Sequence, residues 1–344
     1  MPEMKEKGSR KKEKVKAQDK SAFAIGVDLG GTNLRIAAVD ERGKLLDKVT
    51  TDTGVARPRE EVIAEMCRAI QSLAAKRKAN GKLAGVGVGV PGIIDLRSGT
   101  LRESPNLLGW HDYPVREEIE RRLGTRVILE NDANAAALGE KWLGAGREVD
   151  DLCMMTLGTG VGGGIVLGGR IWHGMTGMAG ELGHITVEPE GPPCGCGNRG
   201  CVEQFCSATA IERMAREAAA RGQAPELARA ARENPAFCSE TVCQLAEAGD
   251  IAAREIFGRV GRALGILVAA LVNTFNLPMY VIGGGVAEAW EMFSPAMLGE
   301  VRKRSFVYAA TSSGASGGKT VITRAQLGSD AGLFGAARLA LRRR

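Results

Sequence analysis

Residues 23–39, FAIGVDLGGTNLRIAAV, decide the fold, because one apolar segment enters a glycine turn and a second leaves it. Apolar runs of this length that are bounded by glycine predict buried strands joined by a tight turn. Residues 151–169, DLCMMTLGTGVGGGIVLGG, repeat this order of strands and glycine turns without useful residue identity. We therefore expect a duplicated α/β lobe, with a ligand between the two copies.

Helix and strand patterns alternate through the rest of the chain. We predict further strands over residues 44–51, 83–90, 126–129, 279–282 and 321–323. We predict helices over residues 58–80, 113–123, 133–143, 208–231, 250–275 and 330–344. The predicted domains are a disordered basic tail (1–21), an N-terminal α/β lobe (22–132) onto which helix 330–344 packs back, and a C-terminal α/β lobe (133–329).

The net charge of +6 is concentrated at the two ends of the chain. Residues 1–20 hold eight basic and four acidic residues, and residues 342–344 are all arginine. A solvated tail is the favoured interpretation, although such a tail could also contact an acidic surface. Only 4% of the residues are aromatic, which argues against a platform that stacks nucleic-acid bases. We expect no nucleic-acid partner.

The sequence has neither an 18-residue apolar run nor a signal peptide at its N-terminus, so we expect a cytoplasmic protein with no membrane partner. Eight cysteines, three of them closely grouped, do not resemble a disulfide scaffold in a chain of 344 residues. Metal binding in a reducing compartment fits this pattern better.

Three glycine-rich turns follow apolar segments and could bind phosphate. Glycine lets backbone N–H groups approach phosphate oxygens, and threonine adds a hydroxyl donor. Each turn alone could equally be a plain hairpin, but three in one chain favour a nucleotide. The candidate phosphate-binding residues are Gly30, Gly31, Thr32, Asn33, Gly158, Thr159, Gly160, Gly283, Gly284 and Gly285.

Two better-known nucleotide motifs are rejected. Residues 158–163 match a dinucleotide fingerprint, but a strand-like segment follows where that motif needs a helix. Residues 313–320 nearly spell a P-loop, yet Ser313 replaces its first glycine and a predicted strand follows.

The spacing His184-x9-Cys194-x-Cys196-x4-Cys201 predicts a zinc site. Four protein ligands leave no open position on the metal, so we interpret the site as structural. The alternatives are four unrelated loop residues, or a disulfide, which the short Cys-Gly-Cys link disfavours. The remaining cysteines, at positions 67, 153, 206, 238 and 243, are predicted to be buried thiols.

Four segments together resemble the ROK family of sugar kinases and repressors, and its bacterial glucokinases above all. They are Asp28-Leu-Gly-Gly-Thr32, Glu130-Asn-Asp-Ala-Asn-Ala-Ala136, Gly180-Glu-Leu-Gly-His184 and Cys194-Gly-Cys-Gly-Asn-Arg-Gly-Cys-Val-Glu203. The resemblance covers about residues 22–340 and implies an actin-like, ribonuclease-H-like fold. Its two lobes would close over a hexose and Mg-ATP, and the chain would commonly form a homodimer.

The resemblance also implies roles for single residues. Asp132 would be the general base that activates the 6-hydroxyl of a hexose, most of all glucose. Asp28 would lie on the Mg²⁺ side, acting through water, and residues 283–285 on the adenosine side. The residues that would contact the sugar are Gly92, Asn106, Asn131, Glu181, His184 and Glu203, with His184 also binding zinc.

The residues themselves leave simpler interpretations open. Asp132 could cap the helix that begins at Ala133. Glu203 could lie at the start of a helix, where the helix dipole favours a negative charge. Asn106 could be a turn residue. Phosphoryl transfer needs mainly alignment and charge neutralisation, so one positioned base with loops and Mg²⁺ is sufficient.

Several alternative functions share these motifs. N-acetylmannosamine, mannose, fructose or allose could replace glucose, and polyphosphate could replace ATP. A sugar-sensing ROK repressor carries a winged-helix domain before the kinase-like body, and we expect residues 1–21 to be too short for one. The loop Pro105-Asn-Leu-Leu-Gly-Trp110 favours glucokinase.

Overall fold

The computed structural model describes residues 22–78, 81–222, 224–314 and 318–342, so the predicted tail lies outside the described residues. The strands are β1 (Ala22–Leu29), β2 (Asn33–Asp40), β3 (Leu45–Asp52), β4 (Lys82–Val90), β5 (Ile93–Asp95), β6 (Thr100–Glu103), β7 (Val127–Asn131), β8 (Leu152–Leu157), β9 (Val161–Leu167), β10 (Arg170–Ile171), β11 (Met279–Gly283) and β12 (Val321–Arg324).

The α-helices are α1 (Arg59–Arg77), α2 (Val115–Leu123), α3 (Asp132–Leu143), α4 (Glu203–Cys206), α5 (Ala208–Ala220), α6 (Pro225–Glu233), α7 (Ser239–Glu247), α8 (Ile251–Phe275), α9 (Trp290–Arg304), α10 (Phe306–Thr311) and α11 (Ala331–Leu341). Short 3₁₀ turns cover Leu182–His184, Gly285–Ala289 and Gly328–Asp330. No helix in the described ranges is long and apolar enough to cross a membrane.

Ten of these strands form two five-stranded sheets built on one plan, and β5 and β6 form a separate two-stranded sheet. The first has the order β3-β2-β1-β4-β7, and the second has the order β10-β9-β8-β11-β12. In each sheet three successive strands pair antiparallel, and two later strands join in parallel. The structure therefore confirms the duplicated α/β architecture that residues 23–39 and 151–169 predicted.

Each sheet buries its two faces against different helices. The outer face of the first sheet packs on α1 and α2 through residues such as Ile25 and Ile63, which are fully buried. Full burial of one such side chain stabilises the fold by roughly 1.5–3 kcal/mol. The outer face of the second sheet packs mainly on α5 and α8. The two inner faces instead contact α11 and α3, so these helices lie between the sheets.

Glycines allow α3 and α11 to cross at very close range. A Cβ atom on Gly335 would lie 1.7 Å from the carbonyl oxygen of Ala135, and one on Gly139 would lie 2.1 Å from that of Ala331. Only glycine fits such backbone contacts. Because α11 also packs on β1 and β4, this crossing fixes the start of α3 relative to the first sheet.

Some predicted elements were wrong in extent. The predicted helix over 208–231 is two helices, α5 and α6, because Pro225 suits the first turn of a helix and not its interior. The final helix ends at Leu341, and the last two residues of its predicted range, 343–344, lie outside the described residues. Helices α7, α9 and α10 were not predicted.

The structure also tests the rejected motifs and the cysteines. Strand β9 begins inside the first rejected motif, at Val161, and strand β12 follows the second, so neither motif leads into a helix and both rejections are confirmed. Cys67, Cys153 and Cys206 are buried as predicted. The prediction was wrong for Cys238, which is exposed, and Cys243 is only partly buried.

Candidate active site

Asp132 is the first residue of α3, directly after β7. The helix is capped by Asn131, whose side-chain oxygen accepts hydrogen bonds from the N–H groups of Ala133 (2.9 Å) and Asn134 (3.2 Å). One carboxylate oxygen of Asp132 accepts only a local bond, from Ala133 N–H at 2.8 Å. Asn131 therefore performs the capping role that was left open for Asp132.

The surroundings of Asp132 disfavour its charge. Burial raises the pKa of Asp132 from 3.8 to about 6, the nearby carboxylates of Asp28 and Glu181 add to this, and the N–H of Ala133 opposes it. A carboxyl with this pKa is ionised at neutral pH and is still basic enough to accept a proton from a hydroxyl.

Asp28 lies at the end of β1 and pairs with Arg35, its cross-strand neighbour on β2, at 3.2 Å. Burial raises the pKa of Asp28, and the Arg35 guanidinium opposes that rise. The turn that follows is closed by a 2.9 Å bond from Gly30 N–H to the carbonyl of Asn33. A Cβ on Gly31 would lie 2.9 Å from the carbonyl oxygen of Asn106, so Asn106 lies against this turn.

Two further glycine turns lie side by side at the carboxyl ends of β8 and β11, which are neighbouring strands of the second sheet. Gly158 N–H donates to the carbonyl of Gly160 at 2.9 Å, and the Thr209 hydroxyl donates to the carbonyl of Thr159 at 2.9 Å. Gly284 has φ +87° and packs so closely that a Cβ on it would lie 2.3 Å from the carbonyl oxygen of Leu157. The structure thus brings the turns of residues 158–160 and 283–285 together.

Two of the predicted sugar-contacting residues, Asn131 and Glu181, lie near Asp132. The Asn131 amide donates to the carbonyl of Gly92 at 3.3 Å, next to the base candidate in the chain. The Glu203 carboxylate accepts a 2.9 Å bond from Val161 N–H and lies against Gly160. Burial raises the pKa of Glu181, with His184 opposing and Glu203 adding to the rise. Glu181 therefore lies near enough to both Asp132 and Glu203 for their charges to interact.

His184, Cys194, Cys196 and Cys201 form a compact group whose ligand atoms all lie within 4.8 Å of one another. Cys194 Sγ is 3.6 Å from His184 Nδ1, and Cys196 Sγ is 3.8 Å from Cys201 Sγ. A tetrahedral zinc ion with ordinary bond lengths requires about 3.5 Å between nitrogen and sulfur and about 3.8 Å between sulfurs. The group therefore fits zinc.

The two ring nitrogens of His184 face different neighbours. Nδ1 faces the cysteines, whereas Nε2 lies 4.0 Å from the carboxylate of Glu181. His184 can thus contribute to the metal group with one nitrogen and present the other to a ligand near Glu181.

The sequence reasoning missed one pair at this site. Glu130 is buried, and its carboxylate contacts Nε2 of His173 at 2.8 Å. Glu130 stands in one of the motif segments, but the sequence alone assigned no role to it. His173 lies 43 positions away along the chain, so no local pattern could link the two residues.

Comparison with known proteins is consistent with this geometry. The profile of the ROK family matches residues 24–343. The chain belongs to the ROK family. It is 41% identical over 313 residues to a glucokinase from Thermotoga maritima, covering 91% of this chain and 95% of that protein.

Two other relatives have different functions: one is a kinase and the other is a repressor. The crystal structure of a ROK family glucokinase from Streptomyces griseus in complex with glucose and AMPPNP is 33% identical, with a TM-score of 0.74 and coverage of 92% of this chain and 98% of that one. A xylose repressor from Caldicellulosiruptor bescii is 32% identical over 88% of this chain and 76% of the repressor. The TM-score of 0.74 to the glucokinase structure confirms the actin-like fold that the resemblance implied.

Proposed function

We propose that this ROK protein is an ATP-dependent hexose kinase that phosphorylates the 6-hydroxyl of glucose. The observation that carries the proposal is the environment of Asp132: a partly desolvated carboxylate at the start of α3, beside Asp28 and Glu181. The 41% identity to a glucokinase supports the same conclusion.

In the proposed reaction Asp132 accepts the proton of the sugar 6-hydroxyl as its oxygen attacks the γ-phosphorus of ATP. The bond between that phosphorus and the β,γ-bridging oxygen breaks, and ADP leaves. Because little covalent chemistry is needed, the protein contributes alignment, a base and compensation of charge. The pKa of about 6 keeps Asp132 ionised at neutral pH, ready for this proton.

The nucleotide would lie along the three glycine turns, with their N–H groups and the hydroxyls of Thr32 and Thr159 available to phosphate oxygens. Asp28 would lie on the side of the Mg²⁺ ion that accompanies ATP. Such an ion, when bound, neutralises phosphate charge. Residues 283–285 would lie on the adenosine side.

Polar groups from both lobes would hold the sugar. We place the boundary between the N-terminal and the C-terminal lobe at residue 132. The proposed sugar contacts are Gly92, Asn106, Asn131, Glu181, His184 and Glu203. His184, Cys194, Cys196 and Cys201 would hold a structural zinc ion, which orients the loop that carries Glu181 and His184. Because His184, Cys194, Cys196 and Cys201 would fill all four positions of a tetrahedral zinc ion, we assign no step of the chemistry to it.

We also propose a cytoplasmic homodimer. The family resemblance supports the dimer, and the unpaired cysteines of the metal group suit a reducing compartment. Sedimentation of the purified chain at micromolar concentration tests the dimer, and a single monomeric species would contradict it.

An assay of ADP release with Mg-ATP across a hexose panel tests the proposed function. The panel contains glucose, mannose, fructose, allose and N-acetylmannosamine, with polyphosphate as an alternative donor. We expect the highest kcat/KM with glucose and ATP. A chain that binds glucose but releases no ADP with any hexose would contradict a kinase and favour a sugar sensor.

A further inference from the structure

The contact between Glu130 and His173 has no part in the chemistry proposed above. Glu130 is 3% exposed, and its Oε1 accepts bonds from Asn131 N–H (3.0 Å) and the Asn134 amide (3.1 Å). Its Oε2 contacts Nε2 of His173 at 2.8 Å. Within the described part of the chain, His173 is the one basic side chain within ion-pair distance of Glu130.

This pair joins two segments that reach the active site separately. Glu130 lies in β7, two residues before Asp132. His173 lies near the start of the bridging loop, residues 172–181, which runs from β10 to the 3₁₀ turn at 182–184 and ends on Glu181. The contact therefore connects the strand that delivers the base to the loop that delivers a sugar-facing carboxylate.

Other contacts show that the bridging loop has a defined shape. Its segment 173–179 is closed by a 3.2 Å bond from Ala179 N–H to the carbonyl of His173. A Cβ on Gly177 would lie 3.5 Å from Leu96, beside β5, and one on Gly180 would lie 2.7 Å from the carbonyl oxygen of Gly163 on β9. The loop thus lies against β9 of the second five-stranded sheet and beside β5 of the separate β5–β6 pair.

The contact with Glu130 favours the charged form of the His173 ring. The hydrogen bond to Glu130 raises the pKa of His173 above its ordinary value, while burial of the ring opposes the rise. A hydrogen bond between two ionised groups is shorter and stronger than one between neutral groups. The bridging loop therefore has one strong polar anchor, next to the base.

We propose that His173 is a positioning residue for sugar binding: its bond to Glu130 holds the bridging loop so that Glu181 faces the hydroxyls of a hexose beside Asp132. This inference rests on the proposed function, which supplies the hexose. A loop that is ordered before the ligand arrives loses less conformational entropy on binding. Removal of the anchor would therefore weaken sugar binding more than nucleotide binding.

Three variants of the full chain test this proposal. His173→Ala removes the anchor, and His173→Gln keeps an N–H donor at a similar reach. Met175→Ala alters the same loop at a side chain that is 99% exposed and serves as the matched control. Glucose affinity is measured by calorimetry without nucleotide, KM for glucose and for ATP by ADP release, and folding by thermal unfolding.

We expect His173→Ala to weaken glucose binding at least tenfold, with KM for ATP changed less than twofold. His173→Gln should return glucose affinity to within about threefold of the wild type, and Met175→Ala should match the wild type. Unchanged glucose affinity in His173→Ala, or equal losses for glucose and ATP, would overturn the positioning role. A wild-type chain that binds glucose without turnover would reject only the kinase proposal, because calorimetry still tests the anchor.

Discussion

At the scale of single residues, Asp132, the proposed base, carries a cost to stability. Its carboxyl has a pKa of about 6 in the folded chain, against an ordinary value of 3.8. The folded state therefore retains the proton between pH 4 and 6, where the unfolded chain has lost it. The free energy of unfolding therefore falls as pH rises through that range. Above pH 6 the carboxylate is charged in the folded chain, and the destabilisation is complete.

Asp132→Asn should separate these two effects. We expect kcat to fall by about 10²–10⁴, because the amide cannot accept the proton, while glucose still binds. At pH 7 the free energy of unfolding of this variant should exceed that of the wild type by roughly 3 kcal/mol, and at pH 4 by less than about 1 kcal/mol. Steady-state kinetics and urea unfolding at both pH values provide the measurements. A kcat close to that of the wild type would remove Asp132 as the base.

The pH dependence of the wild type follows from the same group. Since the base must be ionised, log(kcat/KM) for glucose should fall with a slope of about one below pH 6 and be flat above it. Initial rates from pH 4.5 to 8 measure this. A profile that stays flat down to pH 5 would mean that no buried carboxyl limits the reaction.

At the scale of elements, the loop that carries Cys194, Cys196 and Cys201 would be stabilised by a bound metal. The loop is rich in glycine and proline and contains little regular structure. A metal held by its side chains would replace the hydrophobic core that such a segment lacks.

Cys196→Ser should therefore lose zinc and raise KM for glucose, since His184 belongs to the metal group and is also a proposed sugar contact. Cys238→Ser, at an exposed cysteine outside the group, is the matched control. Metal analysis should give about one zinc per chain for the wild type and the control, and far less for Cys196→Ser. Equal zinc content in all three proteins would refute the ligand assignment.

The sequence predicted elements well wherever a local signal exists. Buried strands and glycine turns are marked by short-range patterns, and the cysteine spacing predicted a group that the fold does bring together. The break between α5 and α6 was missed because an alanine-rich helical pattern continues through Pro225. The bond between Glu130 and His173 has no local signal, because tertiary packing alone brings the two residues together.

At the scale of the whole molecule, the crossing of α3 and α11 positions the base between the sheets. The duplication of the two lobes could be predicted from the sequence, but this crossing could not. Gly335 and Gly139 appear as ordinary helical glycines until the partner backbone is seen at 1.7 and 2.1 Å from their missing Cβ positions.

Gly335→Ala should destabilise the fold by about 3 kcal/mol and lower kcat, because the backbone of α3 must move and Asp132 moves with it. Gly299→Ala, on the exposed side of α9 with no neighbour within 4 Å, is the matched control and should gain about 0.5–1 kcal/mol. Thermal unfolding and kcat measure both variants. Equal stability in the two variants would show that the crossing tolerates a side chain.

The central claim is that the carboxylate of Asp132 faces the primary hydroxyl of the sugar. A crystal structure of the chain with glucose and a non-hydrolysable ATP analogue tests it most directly. We predict a carboxylate oxygen of Asp132 about 2.6–3.2 Å from the glucose O6, on the side opposite the terminal phosphate. A structure in which Asp132 contacts no sugar oxygen, while another carboxylate such as Glu203 contacts O6, would contradict the account.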